Sequence, residues 1–362
     1  MNSILAKASR AIAKSVFRNP MPLSERWGRA GFLHICFSSI GCRYNRHGFC
    51  SMCFYGHGAT LNAEQARNEL HNAMSRSSVS VSEVLLGTCG SILDEEEMPV
   101  EVFDTILEEV AGIDAETIIF ETHFGTVTEK ALQHIVDRIG GKKRIILELG
   151  YESADPFVLE NCINKYMDLD IMHGETIPRI KKYGMGITLN VLLGTPFLSV
   201  VEQVEDAHRT LKTALIHGAD TVVLFPLNIK VGTVVEYLYR KGRYARPSHW
   251  MTIELLSRLS LHELGRVVLS WFGDRQEAGI ANEALPPSAC SQCHDDLFFF
   301  FSAFMQDMDA ERRLRLLSEI SEKGKDCGCR MTFLDSLALS PKERREDRVW
   351  RELQILSDEY VE

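Results

Sequence analysis

A chain of 362 residues, 45% hydrophobic and 25% charged, has the proportions of a globular protein and enough length for one large domain with an appendix. No apolar run reaches the roughly 18 residues of a membrane span, and the longest oily stretch, residues 297–301, reads as part of a core helix. A formal net charge of −10 argues against a surface built mainly to neutralise phosphates and leans toward a small or protein-bound substrate.

In chain order, the first segment carries Lys7, Arg10, Lys14 and Arg18 with no acidic residue before Glu25. It has no continuous apolar core and no small-residue cleavage site, so it reads as an amphipathic helical arm over 1–30 rather than a targeting segment. Without a secretory signal, ten cysteines point to the reducing cytoplasm and away from disulfides. Seven of the ten fall into two groups, Cys42, Cys50 and Cys53, then Cys290, Cys293, Cys327 and Cys329. Clustered thiols in a reducing compartment read as metal ligands. Cys36, Cys89 and Cys162 stand alone and read as small buried hydrophobes.

Short apolar runs at 33–40, 81–87, 117–120, 144–149, 186–193 and 221–227 alternate with helical patterns at 63–75, 100–112, 128–139, 200–217 and 251–264. Continuous apolar runs, each followed by an amphipathic stretch, indicate parallel strands covered by helices. The fold class is therefore α/β, a partial or full (β/α) barrel of the TIM type over 31–275. Periodicity leaves open whether it closes. Beyond it, Pro286 and Pro287 lead into the second cysteine group, a helical stretch over 309–323 and a charged helical tail. Residues 276–362 read as a small appendix stabilised by its own metal.

Residues 41–53 read GCRYNRHGFCSMC, a C-x7-C-x2-C loop directly after the first apolar run. Cubane iron–sulfur clusters are held by thiolates, normally four. Three in one loop leave one iron without a protein ligand, as a reactive centre requires. At the C-terminal end of a barrel strand, such a loop sits where these barrels place their chemistry. The competing reading is half a zinc site completed by His47, His57 or a distant cysteine; the seven-residue gap and glycine-rich setting favour the cluster.

The stretch Gly41-Cys42 to Gly48-Phe49-Cys50-Ser51-Met52-Cys53-Phe54-Tyr55-Gly56 resembles the elongator-like branch of the radical S-adenosylmethionine (radical SAM) superfamily. Within it, the nearest resemblance is to the radical SAM subunit of archaeosine synthase and its relatives. Residues 90–94, Glu121-Thr122-His123, Glu152-Ser153 with Asn164-Lys165, Pro196-Phe197-Leu198 and Pro226-Leu227-Asn228 extend it over roughly 23–300. The resemblance implies a 4Fe–4S cluster on Cys42, Cys50 and Cys53, S-adenosylmethionine chelated to its open iron, and reductive cleavage to a 5′-deoxyadenosyl radical. It implies Met52 near the adenine, Gly87, Gly90 and Ser91 in the loop holding the methionyl amino group, and Glu121 meeting the cofactor. Glu148 and Glu152 are candidates for the ribose hydroxyls, and Asn190 and Asn228 for cofactor or substrate. One departure is His123, where relatives tend to carry Arg: a guanidinium fork grips a carboxylate in two places and an imidazole does not.

Cys290-x2-Cys293 and Cys327-x-Cys329 offer four thiolates for either a zinc ion or an auxiliary iron–sulfur cluster, with His294 as a spare ligand. The expected function is hydrogen abstraction from a nucleoside-like or other small molecule, fed by an electron donor such as flavodoxin or ferredoxin. Cys89, Glu121, His123 and Tyr151 are the candidates for the acid–base or quenching step. An archaeosine synthase-like radical lyase acting on tRNA is the alternative; it needs a basic face, for which Arg240, Lys241, Arg243, Arg246 and the N-terminal Lys/Arg set are available. A non-catalytic iron–sulfur or zinc protein is the third reading.

Overall fold

The computed structural model describes residues 2–16, 25–29, 31–44, 50–53, 58–75, 80–88, 90–270 and 284–360. One sheet runs through the molecule. It comprises β1 (Glu25–Arg29), β2 (Gly31–Cys36), β3 (Val81–Gly87), β4 (Thr117–Thr122), β5 (Arg144–Glu152), β6 (Gly186–Leu193) and β7 (Thr221–Pro226), in that order. Next in sequence, β8 (Ile229–Lys230) pairs with β10 (Ala284–Leu285) in a separate ribbon, and β9 (Val267–Leu269) completes the large sheet beside β7. β1 is antiparallel to β2, and the seven strands from β2 onward are parallel. With β1 and β9 as the two edges, the architecture is a partial (β/α) barrel.

Helices cover the outer face: α1 (Ser3–Val16), α2 (Ala63–Ser75), α3 (Val100–Gly112), α4 (Glu129–Ile139), α5 (156–163), α6 (169–182), α7 (Val200–Ile216), α8 (Val234–Arg240), α9 (His249–Ser257) and α10 (Leu261–Leu264). The C-terminal part adds α11 (His294–Gln306), α12 (Ala310–Lys323), α13 (Gly328–Ala338) and α14 (Arg345–Tyr360). None of the described helices is long and apolar enough to cross a membrane. Leu5, Ala8 and Ile12 of α1 are buried, as are Val349, Leu353 and Leu356 of α14, and these two terminal helices pack on one another. Arg345 and Arg348 then tie α14 to Asp155 and Glu202 on the barrel's outer layer.

Strand alternation decides what reaches the lumen. On β5, residues 144, 146, 148, 150 and 152 line the interior cavity, whereas Ile145, Leu147, Leu149 and Tyr151 are buried under the helices. The same parity brings Ile119 and Glu121 inward on β4, Thr188, Asn190 and Leu192 on β6, and Thr221, Val223 and Phe225 on β7.

Three features depart from the sequence pattern. The helical run over 251–264 is two helices, because Ser260 and Glu263 form a capping box that starts α10 afresh. β1 (ERWGR) carries no apolar run to announce it, and β9 is only three residues long. Between β5 and β6 lie two π-helical turns, Leu159–Ile163 and Met172–Thr176, the first ending on Asn164 at φ 63°. Cys36 and Cys162 are buried, as read; Cys89 lies outside the described residues.

Arg313 of α12 is fully buried and holds the C-terminal helices to the barrel's last strand. Its Nε donates to the carbonyls of Phe304 (3.1 Å) and Asp307 (2.7 Å), and its Nη1 to those of Leu264 (2.6 Å) and Val267 (2.8 Å). The guanidinium lies 4.0 Å from the Phe304 ring centroid. Burial pulls its pKa down to about 10, so it stays charged at neutral pH. Arg313→Met strands these carbonyls without a donor and is expected to cost about 3–5 kcal/mol, measured by urea denaturation.

Candidate functional site

The cysteine loop is anchored by backbone bonds. Ser51 N–H donates to the carbonyl of Ile163 (2.9 Å), Ser51 Oγ to that of Cys162 (2.6 Å), and Val235 N–H to the Ser51 carbonyl (3.1 Å). Strand β2 leads into the loop, and α5 and α8 clamp Ser51. Cys42, Cys50, Met52 and Cys53 all line one cavity of about 630 Å³ that occupies the barrel interior. The Cys50 and Cys53 thiols hydrogen-bond one another, which drives the Cys50 thiol up and pulls Cys53 down. His47 and His57, the alternative fourth ligands, lie outside the described residues.

The loop after β3 comes within contact of Cys42. A Cβ on Gly90 would stand 2.8 Å from Cys42 Cα and 2.5 Å from Glu97 Oε1, so only glycine fits. A Cβ on Gly87 would meet Glu121 Oε2 at 2.5 Å, leaving Glu121 to fill the lumen beside it. Ser91 is turned away from the cavity: its Oγ bonds Thr122 (2.6 Å) and Thr126 (2.8 Å), and its N–H donates to Glu97 (3.1 Å). Glu97 also accepts from Thr88 and is pushed up to about 7 by burial.

Around the cavity, His123 is 4% exposed, with its ring edge-on to Tyr44 at 5.5 Å and Asp94 Oδ2 4.0 Å from its Nε2. Neither ring nitrogen has a hydrogen-bond partner, and burial, with Arg43 and Lys165 nearby, lowers its pKa to about 3. His123 is therefore a neutral imidazole with unspent donor and acceptor capacity. Glu148 is raised to about 7 by burial, partly offset by a hydrogen bond from Asn190, whose amide oxygen has no partner. Asn228 also lines the cavity and donates to the Pro226 carbonyl at 3.3 Å.

Sequence reasoning overlooked Lys165 as a site residue. It follows the π-turn of α5 and Asn164, a reversal that carries its side chain over the end of β5. Its Nζ donates to Glu152 Oε1 (2.9 Å) and the Gly150 carbonyl (2.8 Å) and lies 5.5 Å from the Tyr44 ring centroid. Burial opposes its charge, but Glu152, Tyr44 and Cys50 outweigh it and keep the ammonium protonated. Glu152 sits at φ 63° where the β5–β6 register slips, and its Oε2 has no partner. The only sequence signal was Asn164-Lys165, a matching stretch with no assigned role.

Tyr151 is not at the site. Being odd-numbered on β5, it points into the helical layer, fully buried, with its hydroxyl 2.8 Å from His173 Nε2. Cys89 lies outside the described residues. Of the proposed basic face, Arg240 pairs with Glu236, Arg243 with Glu352, and Arg246 donates to the carbonyls of Pro286 and Pro287. Arg243 and Arg246 are structural ties, whereas Arg240 pairs within its own helix and its side chain is 73% exposed.

The residues present suit a three-cysteine cluster with S-adenosylmethionine. Three thiols open on one cavity, and the lining includes unpartnered polar atoms of His123, Glu152 and Asn190 together with a buried ammonium. Fold and cysteine loop together define a partial (β/α) barrel with three thiols gathered at its interior cavity. No family model matches the chain. By sequence it is similar to archaeosine synthase subunit beta of Methanosarcina acetivorans, 32% identical over 231 residues, 62% of this chain and 65% of that protein. It is similar also to archaeosine synthase subunit beta of Thermococcus kodakarensis, 30% identical over 175 residues, 48% of this chain and 53% of that one. The chain thus spans less than two thirds of the length of these relatives. Methylornithine synthase overlays 96% of this chain and 90% of its own at 14% identity and a TM-score of 0.45.

Proposed function

We propose that this chain is a radical SAM enzyme that abstracts hydrogen from a nucleoside-like or other small molecule. The observation that carries the reading is that all three cysteines of the C-x7-C-x2-C loop border the barrel cavity beside a buried lysine and an unpartnered histidine. When bound, a reduced 4Fe–4S cluster and S-adenosylmethionine would supply a carbon-centred radical. Cys42, Cys50 and Cys53 would hold the cluster, and Met52 would border the adenine. Lys165 and His123 take the place of the missing arginine: the ammonium offers charge and the imidazole a directional hydrogen bond to a carboxylate. Glu148, Asn190 and Asn228, which line the same cavity, would be hydroxyl and amide partners, and Glu121 would be the carboxylate that exchanges a proton. A flavodoxin or ferredoxin would deliver the electron.

The relatives' name supports a second reading, a radical lyase acting on a tRNA base with a partner subunit. The structural use of Arg243 and Arg246 weighs toward the small substrate. Anaerobically reconstituted protein given dithionite and S-adenosylmethionine is expected to release 5′-deoxyadenosine, detected by liquid chromatography and mass spectrometry. Absence of that product from protein with a full iron complement would overturn the enzyme reading. tRNA binding with a steep salt dependence would favour the second substrate class.

A further inference from the structure

Outside the barrel cavity, the four C-terminal thiols converge on a single point. Cys290 Sγ lies 3.5 Å from Cys293 and 3.3 Å from Cys327; Cys329 Sγ lies 3.3 Å from Cys293 and 3.4 Å from Cys327. All four sulfurs fall within 4.8 Å of one another. We infer that they hold one tetrahedral zinc ion, not an iron–sulfur cluster, and that Trp250 from the barrel side is part of its outer shell.

Size decides between the metals. A zinc ion with Zn–S bonds of about 2.3 Å places its sulfurs about 3.8 Å apart at the corners of a tetrahedron. The observed spacings need to open by only a few tenths of an ångström to reach it. A cubane interposes four irons and four sulfides between its thiolates and holds them well beyond the span that encloses these four. Four cysteines leave no open position, so the ion would be structural rather than catalytic. His294 is not needed as a ligand: it is half exposed, stacked on Phe298 and directed at Asp295.

The surroundings suit the charge. Four thiolates around a divalent ion carry a net charge of −2 and need donors. Cys293 is the N-cap of α11 and Cys327 the N-cap of α13, so two ligands sit at the positive ends of helices of 13 and 11 residues. Trp250 Nε1 donates to Cys329 Sγ at 3.2 Å. The indole is almost fully buried, roofed by Arg330, and lies so close to Gly324 that a Cβ there would meet it at 2.0 Å. Trp250 belongs to α9, which packs on α7, while Cys290 and Cys293 lead into α11, Cys327 caps α13 and Cys329 lies in the first turn of α13. The ion would therefore join the last helices of the barrel to the C-terminal helices at one point, where a layer this small gains most from a metal.

The test counts metals by plasma mass spectrometry and labile sulfide in anaerobically purified protein and in a Cys42→Ala/Cys50→Ala/Cys53→Ala variant. One zinc per chain in both, with neither iron nor sulfide in the variant, is the expected result. Iron and sulfide remaining in the variant, a lone iron in place of zinc, or an empty site with oxidised cysteines would each overturn it. Because ligand variants such as Cys327→Ser risk misfolding, Trp250→Phe provides the second arm. It keeps all four ligands and is expected to weaken zinc by about 10–100-fold against a chromogenic chelator, the usual effect of losing an outer-shell donor. Unchanged zinc affinity would remove Trp250 from the site. Neither arm depends on the barrel chemistry: protein that holds zinc yet cleaves no S-adenosylmethionine sinks the enzyme reading and leaves this one standing.

Discussion

Replacing Lys165 by methionine is expected to cost about 3–5 kcal/mol of stability, the loss typical of breaking one side of a buried ion pair. Lys165 and Glu152 side chains are 7% and 9% exposed and stand 2.9 Å apart, so the methionine variant leaves an unpaired carboxylate under the barrel mouth. Glu152 is also at positive φ, a conformation that surrounding contacts must hold in place. The double variant Lys165→Met/Glu152→Gln removes both charges and is expected to regain much of the loss. Urea denaturation of the four proteins in the cycle measures the coupling, and a single-variant loss under about 1 kcal/mol would refute the buried pair as a structural element. Refolded and reconstituted, Lys165→Met is further expected to need more S-adenosylmethionine for half-saturation in equilibrium dialysis, a readout separate from turnover.

Cys53→Ala has the larger functional consequence. With two thiolates left in the loop, the cubane loses a third of its protein ligation, and iron is expected to fall from about four to under one per chain after reconstitution. 5′-Deoxyadenosine release should fall to background while far-ultraviolet circular dichroism is unchanged, because Cys53 contributes little to the core. Four irons retained in this variant would place the cluster elsewhere.

Legibility in the sequence followed the range of the interactions involved. Strand and helix positions were readable because strands covered by helices carry short apolar runs, as at 84–86 and 191–193. The helix starts were equally local: Thr128 and Asp309 cap their helices through bonds three residues ahead. The mistaken placement of Tyr151 was avoidable, since strand alternation with Glu148 and Glu152 already turns it outward. β1 gave no such signal, as its five residues hold neither an apolar run nor an alternation and become a strand only by pairing with β2.

Chemistry carried by neighbouring residues was thus written in the chain: the C-x7-C-x2-C loop, the small residues beside it and the two later cysteine pairs declare thiolate ligands through spacing alone. Everything that depends on distant segments meeting came from folding. A π-turn and one left-handed residue bring Lys165 onto Glu152 and beside Cys50. Packing of α9 against the C-terminal helices sets Trp250 on Cys329. The gathering of four sulfurs into the space of a single ion separates zinc from a cluster. Spacing along a chain constrains which ligands are available, but the distance between their atoms, which selects the metal, is a property of the packed molecule.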